Sequence, residues 1–199
     1  MERAGLPILA FPDAKAWEAW LAAQPRTSAG VWLKLAKAGA GVPSVSKAEA
    51  IDGALCHGWI DGQLNPYDAD WWLIRFTPRK VRSIWSEKNR IRCGELIAAG
   101  RVTTAGRAEI DAAKADGRWD AAYAPQSTIT VPDDLATALE AEPGARAFFD
   151  SLDSGNRYAI LYRVHEAKKA ETRVARVAKF VGMCARGERM HPKRGQRLK

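Results

Sequence analysis

The sequence predicts an α+β protein, an N-terminal antiparallel sheet packed with helices and then a small all-helical C-terminal unit. Three observations carry this. VWLKLAK, residues 31–37, alternates at the period of a strand, and WIDGQL and WWLIRF read as two more strands around the turn-rich NPYDAD. Helical periodicity starting at capping residues separates the strands. Beyond APQSTITVP, residues 124–132, the pattern is helical throughout.

Taken in order, Asp13 caps a first helix whose Trp17, Trp20 and Leu21 fall at i, i+3, i+4. In the strand that follows QPRTSAG, Val31, Leu33 and Leu35 share one face, and Trp32 and Lys34 the other. After GAGVP, Ser46 and Glu49 stand at capping-box spacing and open a helix that reaches about His57, with Gly58 as its stop. Behind the strand pair, Ser86 caps a helix with Asn89, Cys93, Leu96 and Ile97 on one face, ended by Gly100. Another helix spans roughly 104 to 116. In the last third, Leu135 and Leu139 mark one short helix, and Phe148, Phe149 and Leu152 another. Tyr158, Leu161, Tyr162 and His165 predict the stripe of a third, and Val174, Val177, Ala178 and Val181 that of a fourth. The domain boundaries this implies are an α+β domain at 1–124, a linker at 125–131, a helical domain at 132–190 and a basic tail at 191–199.

The totals exclude more than they specify. With 31 basic and 23 acidic residues the formal charge is +8, and Lys193, Arg194, Arg197 and Lys199 supply part of it from the tail. Such a balance suits anionic partners in general: nucleic acid, lipid head groups or acidic proteins. MERAGLPILAF lacks the apolar core of a signal peptide, and no run of about 18 apolar residues predicts a membrane span. Three widely spaced cysteines (Cys56, Cys93, Cys184) predict buried, reduced thiols in a cytoplasmic protein. No Cys/His spacing predicts a metal site, no motif predicts a cofactor, and nothing points to an oligomeric state.

Two stretches have the residue types of a binding surface. If alternation runs unbroken, Trp59, Asp61 and Gln63 lie opposite Ile60 and Leu64, and Trp71, Leu73 and Arg75 lie opposite Trp72, Ile74 and Phe76. Trp59, Asp61, Trp71 and Arg75 then share a sheet face with Trp32 and Lys34, and interleave flat indoles with charges. The alternative is a sheet covered on both sides, with the indoles in the core and Asp61 paired to Arg75. Next comes FTPRKVRSIWSEKN, residues 76–89. Pro78 ends the strand, and Arg79, Lys80 and Arg82 fill the turn before a helix start, where free N–H groups favour anions. Ser83, Ser86 and Asn89 add donors, and Trp85 a stacking plate. The alternative is a solvated turn whose arginines pair with nearby carboxylates. Cys56 beside His57 is no catalytic dyad, since adjacent helical residues point about 100° apart. Asp52 shares a helix face with Cys56, and a carboxylate raises a thiol pKa. HEAKK, residues 165–169, lacks the second histidine of a zinc-protease helix. Arg157, Arg163, Lys168, Lys169, Arg173, Arg176 and Lys179 predict a basic exposed face on the C-terminal helices.

SKAEAIDGALCHGWIDGQ, WWLIRFTPRKVRSIWSEKN and GRWDAAY, with VPDDL and ARAFFDSLDSGNRYAILYRVHEAKKAETRVARVAKFV later, resemble the YdeI/OmpD-associated family of bacteriocin-protection (OmdA-type) proteins over about residues 10–192. His57 stands where relatives commonly have tyrosine, and Ala170 where they commonly have proline. The resemblance implies a bacterial protein associated with envelope stress and protection against bacteriocins or cationic peptides, and no settled catalytic activity. The leading expectation is therefore a non-enzymatic, cytoplasmic stress-protection protein. It would bind an anionic ligand or acidic protein through Trp59, Asp61, Trp71, Arg75, Arg79, Arg82, Ser86 and Asn89. Two further readings stand beside it: a nucleic-acid-binding module using the basic turn and tail, and an enzyme on a small anionic substrate using Asp52 or Asp61.

Overall fold

The computed structural model of the chain describes residues 1–192, so the basic tail from Lys193 onward lies outside the described residues. The chain forms two compact units, Met1–Ala122 and a second that begins at Tyr123.

The first unit is built on strands β1 (Glu2–Arg3), β2 (Leu6–Ala10), β3 (Val31–Ala36), β4 (Trp59–Pro66) and β5 (Trp71–Pro78), in the order β1-β2-β3-β5-β4. Its pairs are antiparallel except β2 with β3, which run parallel. The unpredicted strands β1 and β2 enlarge the sheet. Helix α1 (Ala14–Ala22) supplies the crossover that a parallel pair requires. Helices α2 (Lys47–Cys56), α3 (Glu87–Ala98) and α4 (Thr104–Ala115) complete the unit, which is α+β with a mostly antiparallel sheet.

The helices begin where side chains satisfy their first N–H groups. The Asp13 carboxylate accepts from the Ala16 amide at 2.8 Å, Ser46 and Glu49 form a reciprocal capping box, and Ser86 accepts from the Asn89 amide. On one sheet face, Val31, Leu33, Leu35, Trp59, Ile74 and Phe76 join Trp17 and Leu21 of α1 and Ala50 and Ala54 of α2 in a single core. The Trp17 indole N–H donates to the Ala50 carbonyl and ties the two helices together. On the other face, Leu6, Trp32 and Leu73 form a smaller cluster with Ile8 and Tyr67.

A third cluster joins Leu55 and Cys56 of α2 to Cys93 and Leu96 of α3, Ile110 and Ala113 of α4, and Trp85. Two glycines allow its close approaches. A Cβ on Gly106 would lie 2.1 Å from the Cys56 carbonyl oxygen, so α4 packs directly on the end of α2. Gly58 turns the chain from α2 into β4 at φ +75°, with Glu109 of α4 beside it.

The second unit holds helices α5 (Asp133–Ala141), α6 (Ala145–Ser151), α7 (Ser154–His165) and α8 (Ala170–Ala185) around Leu135, Leu139, Phe149, Ile160, Val164, Val177 and Phe180. The buried stripes are rotated from those predicted. In α7 the buried residues are Asn156, Ala159, Ile160, Leu161 and Val164, with Tyr158 and Tyr162 half-buried on the flank and His165 exposed. In α8 they are Val177, Phe180, Val181 and Cys184, and Val174 is 69 % exposed. The predicted stripes left out Ile160, Val164 and Phe180, which belong to the core of this unit.

Candidate functional site

The predicted indole face is not assembled as expected. Directly opposed residues of an antiparallel pair point to the same side. Asp61 opposes Phe76, and Trp59 opposes Pro78, so both belong to the Phe76 face. Trp32 opposes Arg75, and Ala36 opposes Trp71, so Arg75 and Trp71 belong to the opposite face. The cause is a bulge in β4 between Asp61 and Leu64, which spends an extra residue near Gly62 and returns Leu64 to the Ile74 side. Trp59 is core, edge-on to Trp20 with ring centroids 5.6 Å apart. Asp61 and Arg75 form no ion pair, which also corrects the alternative expectation.

Trp71 is half-buried, and Lys34 sits over its ring at 4.5 Å and over Tyr67 at 4.8 Å. That sandwich engages Lys34 in cation–π contact with both rings.

In the turn after β5, Arg79 was expected at the surface; it is 3 % exposed. Its amide donates to the Gly58 carbonyl at 3.0 Å, which pins the strand end to the α2–β4 junction. Its guanidinium lies 3.4 Å from the centroid of the Trp85 ring, and Trp85 stacks edge-on against Trp119. Nη1 donates to the Ile84 carbonyl at 3.3 Å. Nε and Nη2 are buried and meet no acceptor. Burial drives the Arg79 pKa down to about 10, while Cys93, Glu109 and Asp61 favour the charged form and Arg118 opposes it.

Four buried side-chain polar atoms lack a partner among the described residues: Nε of Arg75, Nε and Nη2 of Arg79, and Nε1 of Trp85. All four are N–H donors, and all come from one eleven-residue stretch, 75–85. Native proteins satisfy nearly all such groups, so the concentration is informative.

The other predicted residues play different parts. Arg82 is exposed and its guanidinium has no partner in the described residues. Ser86 and the Asn89 amide use their mutual hydrogen bond to cap α3. The turn is closed by Lys80 N–H to Ser83 Oγ at 2.9 Å, and Arg118 donates to the Ser83 carbonyl at 2.8 Å. Sequence reading missed Glu109, a buried carboxylate paired with Arg26 beside Gly58. The signal lay only in the close packing that Gly58 and Gly106 permit.

Asp52 accepts from Arg92 Nε at 2.7 Å and Nη2 at 2.5 Å, with Arg101 at 3.6 Å. The Arg92 hydrogen bonds hold its carboxyl below the usual aspartate value. This network joins α2 to α3 and extends to Glu95 and Glu18. Cys56, Cys93 and Cys184 are free and buried. Burial pushes Cys56 up to about 11 and Cys93 up to about 12, so neither is a thiolate nucleophile near neutrality. Among the described residues, no group of three metal-ligating side chains converges and no helix is long and apolar enough to cross a membrane.

In the second unit the predicted basic face is partly spent internally. Arg173 grips Asp134 with two hydrogen bonds, Arg176 donates to the Arg163 carbonyl and Glu166, and Arg163 donates to the Ala159 carbonyl. A groove of about 240 Å³ lies against Ile129, Phe149, Arg157 and Tyr158, and it holds none of the unpartnered buried atoms.

Residues 9–109, just over half of the chain, match a family described as a domain of unknown function, DUF8412. Residues 128–187 match the family described as bacteriocin-protection, YdeI or OmpD-associated. The resemblance to that second family thus rests on the C-terminal residues, and the motifs at 46–63 and 71–89 fall within the first match. No curated protein and no solved structure matches the chain. The chain belongs to the DUF8412 family and joins to it, at residues 128–187, a match to the YdeI or OmpD-associated bacteriocin-protection family.

Proposed function

We propose that this chain is a non-enzymatic, cytoplasmic binding protein of the bacteriocin-protection type, and that its first unit recognises an anion through Arg79 and Trp85, between β5 and α3. One observation supports the reading above others: the buried, unpartnered polar atoms are donors alone, and they cluster in residues 75–85. A charged guanidinium sealed from water is costly unless an acceptor meets it. An anion meeting Nε and Nη2 of Arg79 removes that cost, and the stacked Trp85 ring holds the guanidinium in place. The Lys80–Ile84 turn beside Arg79 exposes Val81 at 86 % and is closed by two hydrogen bonds.

The test is thermal melting of the full chain, followed by tryptophan fluorescence, in rising phosphate or acetate at constant ionic strength held with sodium chloride. Ligand that binds only the folded state raises Tm in a saturable way. The wild type is expected to respond to at least one anion, and Arg79→Met to none. Equal responses in both proteins reject the site.

A further inference from the structure

We infer that the Lys80–Ile84 turn and the start of α3 dock peripherally on an anionic bilayer surface. Val81 and Ile84 enter the headgroup region, and Lys80, Arg82 and Lys88 meet lipid phosphates. This surface is distinct from the buried Arg79 site and does not depend on it.

Three large apolar side chains stand in water within eleven residues: Val81 is 86 % exposed, Ile84 44 % and Ile91 57 %. The turn that carries the first two is fixed at several points. The Ser83 amide donates to the Lys80 carbonyl at 2.8 Å, and the Lys80 amide donates to Ser83 Oγ at 2.9 Å. From outside the turn, Arg118 donates to the Ser83 carbonyl at 2.8 Å and Arg79 to the Ile84 carbonyl at 3.3 Å. Val81 is the second residue of this four-residue turn, so a pinned backbone presents it to solvent. Burying such a side chain is favourable, and an apolar group held out in this way suits a partner that takes it up. Lys88 and Ile91, three residues apart on α3 and both exposed, continue the same mixture of charge and apolar surface.

Charge selects the partner. Residues 80–91 carry Lys80, Arg82, Lys88 and Arg90 against Glu87 alone, and Glu87 meets Arg90 at 3.7 Å. Residues 114–120 bring Trp119 onto Trp85 and Arg118 onto the turn; they hold Lys114 and Arg118 against Asp116 and Asp120 and add no net charge. Lys80, Arg82 and Lys88 form no ion pair among the described residues. Lys80 and Arg82 flank Val81 directly. Apolar groups set between cations are the pattern of a segment lying in the interface of an anionic membrane, where the apolar groups reach the acyl boundary and Lys and Arg the phosphates. A stable contact with a folded protein buries about 800 Å² on each partner, far more apolar surface than a few side chains on a turn supply. Among the described residues no helix is long and apolar enough to cross a membrane, so the association is with its surface.

The test is co-sedimentation of the full chain with vesicles of phosphatidylcholine alone and of phosphatidylcholine mixed with phosphatidylglycerol, at low and at raised salt. Binding is expected to the mixed vesicles and not to phosphatidylcholine alone, and it should weaken with salt. Val81→Ser removes the apolar contact without changing charge and is expected to weaken binding about tenfold, whereas Val81→Leu is expected to strengthen it. Lys80→Ala combined with Arg82→Ala is expected to weaken binding at least about tenfold. The Tm of these variants without vesicles should match wild type, since all three side chains are exposed. Arg79→Met is expected to bind vesicles as wild type does, and its loss of binding would overturn the separation of the two surfaces. No binding to the mixed vesicles overturns the inference. So does binding that ignores both Val81 substitutions, because charge alone then accounts for it. Tighter binding to polyglutamate or single-stranded RNA than to mixed vesicles, lost in the same variants, assigns the surface to an acidic macromolecule and overturns the bilayer. The Arg79 reading is judged separately, by the response of Tm to phosphate or acetate.

Discussion

Asp52 and Arg79 are both buried charged groups of the first unit, 8 % and 3 % exposed, and they differ in what meets them. Asp52 receives two hydrogen bonds from Arg92 and faces a second cation in Arg101. Arg79 has one carbonyl, one aromatic face and two unmet donors. The first arrangement is complete within the chain and joins α2 to α3. The second is stable enough to fold but leaves hydrogen-bonding capacity for something else. Burial of charge alone therefore does not set Arg79 apart from Asp52; incomplete satisfaction does.

The comparison requires that the Arg79 cluster be sealed, and Trp85 is its floor. Trp85 is 1 % exposed and packs with Cys93, Leu96, Ile110 and Trp119. Trp85→Ala is expected to lower stability by about 3–5 kcal/mol in urea denaturation, the cost of truncating a core aromatic. A loss below about 1 kcal/mol would mean an open surface, and the contrast with Asp52 would collapse.

Asp52→Ala is expected to cost less, about 2 kcal/mol, because it removes charge-assisted hydrogen bonds whose partner Arg92 stays in reach of water. The network also has a pH signature. Its carboxyl lies below the ordinary value of 3.8, so the folded state holds the proton more weakly than the unfolded state. The contribution is full above 3.8 and is lost as pH falls through the lower folded value. The stability gap between wild type and Asp52→Asn should be constant at neutral pH and close in acid below about 3.8; a gap that persists there assigns the loss to packing.

What could be read in the sequence follows the range of the interaction. Capping by Asp13, Ser46 and Ser86 is local, and the structure holds all three. The alternation of Val31, Leu33 and Leu35 is local as well, and these residues line the main core. The parallel pairing of β2 with β3 depends on contact across α1, and a five-residue LPILA strand gives no period to read. The bulge after Asp61 is one extra residue, and it moved Trp59 and Asp61 away from the face of Trp71 and Arg75. Arg79 reads as a surface residue because its neighbours Lys80 and Arg82 are hydrophilic. Its burial goes with the tie to Gly58 and the stack on Trp85, which tertiary packing sets. Composition thus drew attention to residues 76–89, while the donors at Arg75, Arg79 and Trp85 that lack acceptors among the described residues could be found only in three dimensions.

Arg79→Met sharpens the contrast from the other side. Methionine keeps much of the packing on Trp85 and removes a buried cation with two unmet donors. Stability without ligand is expected to stay within about 1 kcal/mol of wild type, since apolar replacement of a poorly compensated buried ion is often neutral or stabilising. A loss as large as that of Asp52→Ala would show that Arg79 is as fully satisfied in the fold as Asp52, and the anion reading would lose its physical basis.

The smallest effect expected is at Arg82, and it separates a site from a merely basic turn. Arg82 is exposed and has no partner among the described residues, three residues from Arg79 in the same charged stretch. If attraction by the turn as a whole governs anion binding, Arg82→Ala should weaken binding about as much as Arg79→Met, and both losses should shrink as salt screens them. If the buried fork governs, Arg82→Ala should leave the Tm in the absence of ligand unchanged within error and alter acetate affinity less than about twofold, from the small long-range attraction it supplies. Equal losses at the two positions would make the turn, not the unmet donors of Arg79, the seat of recognition.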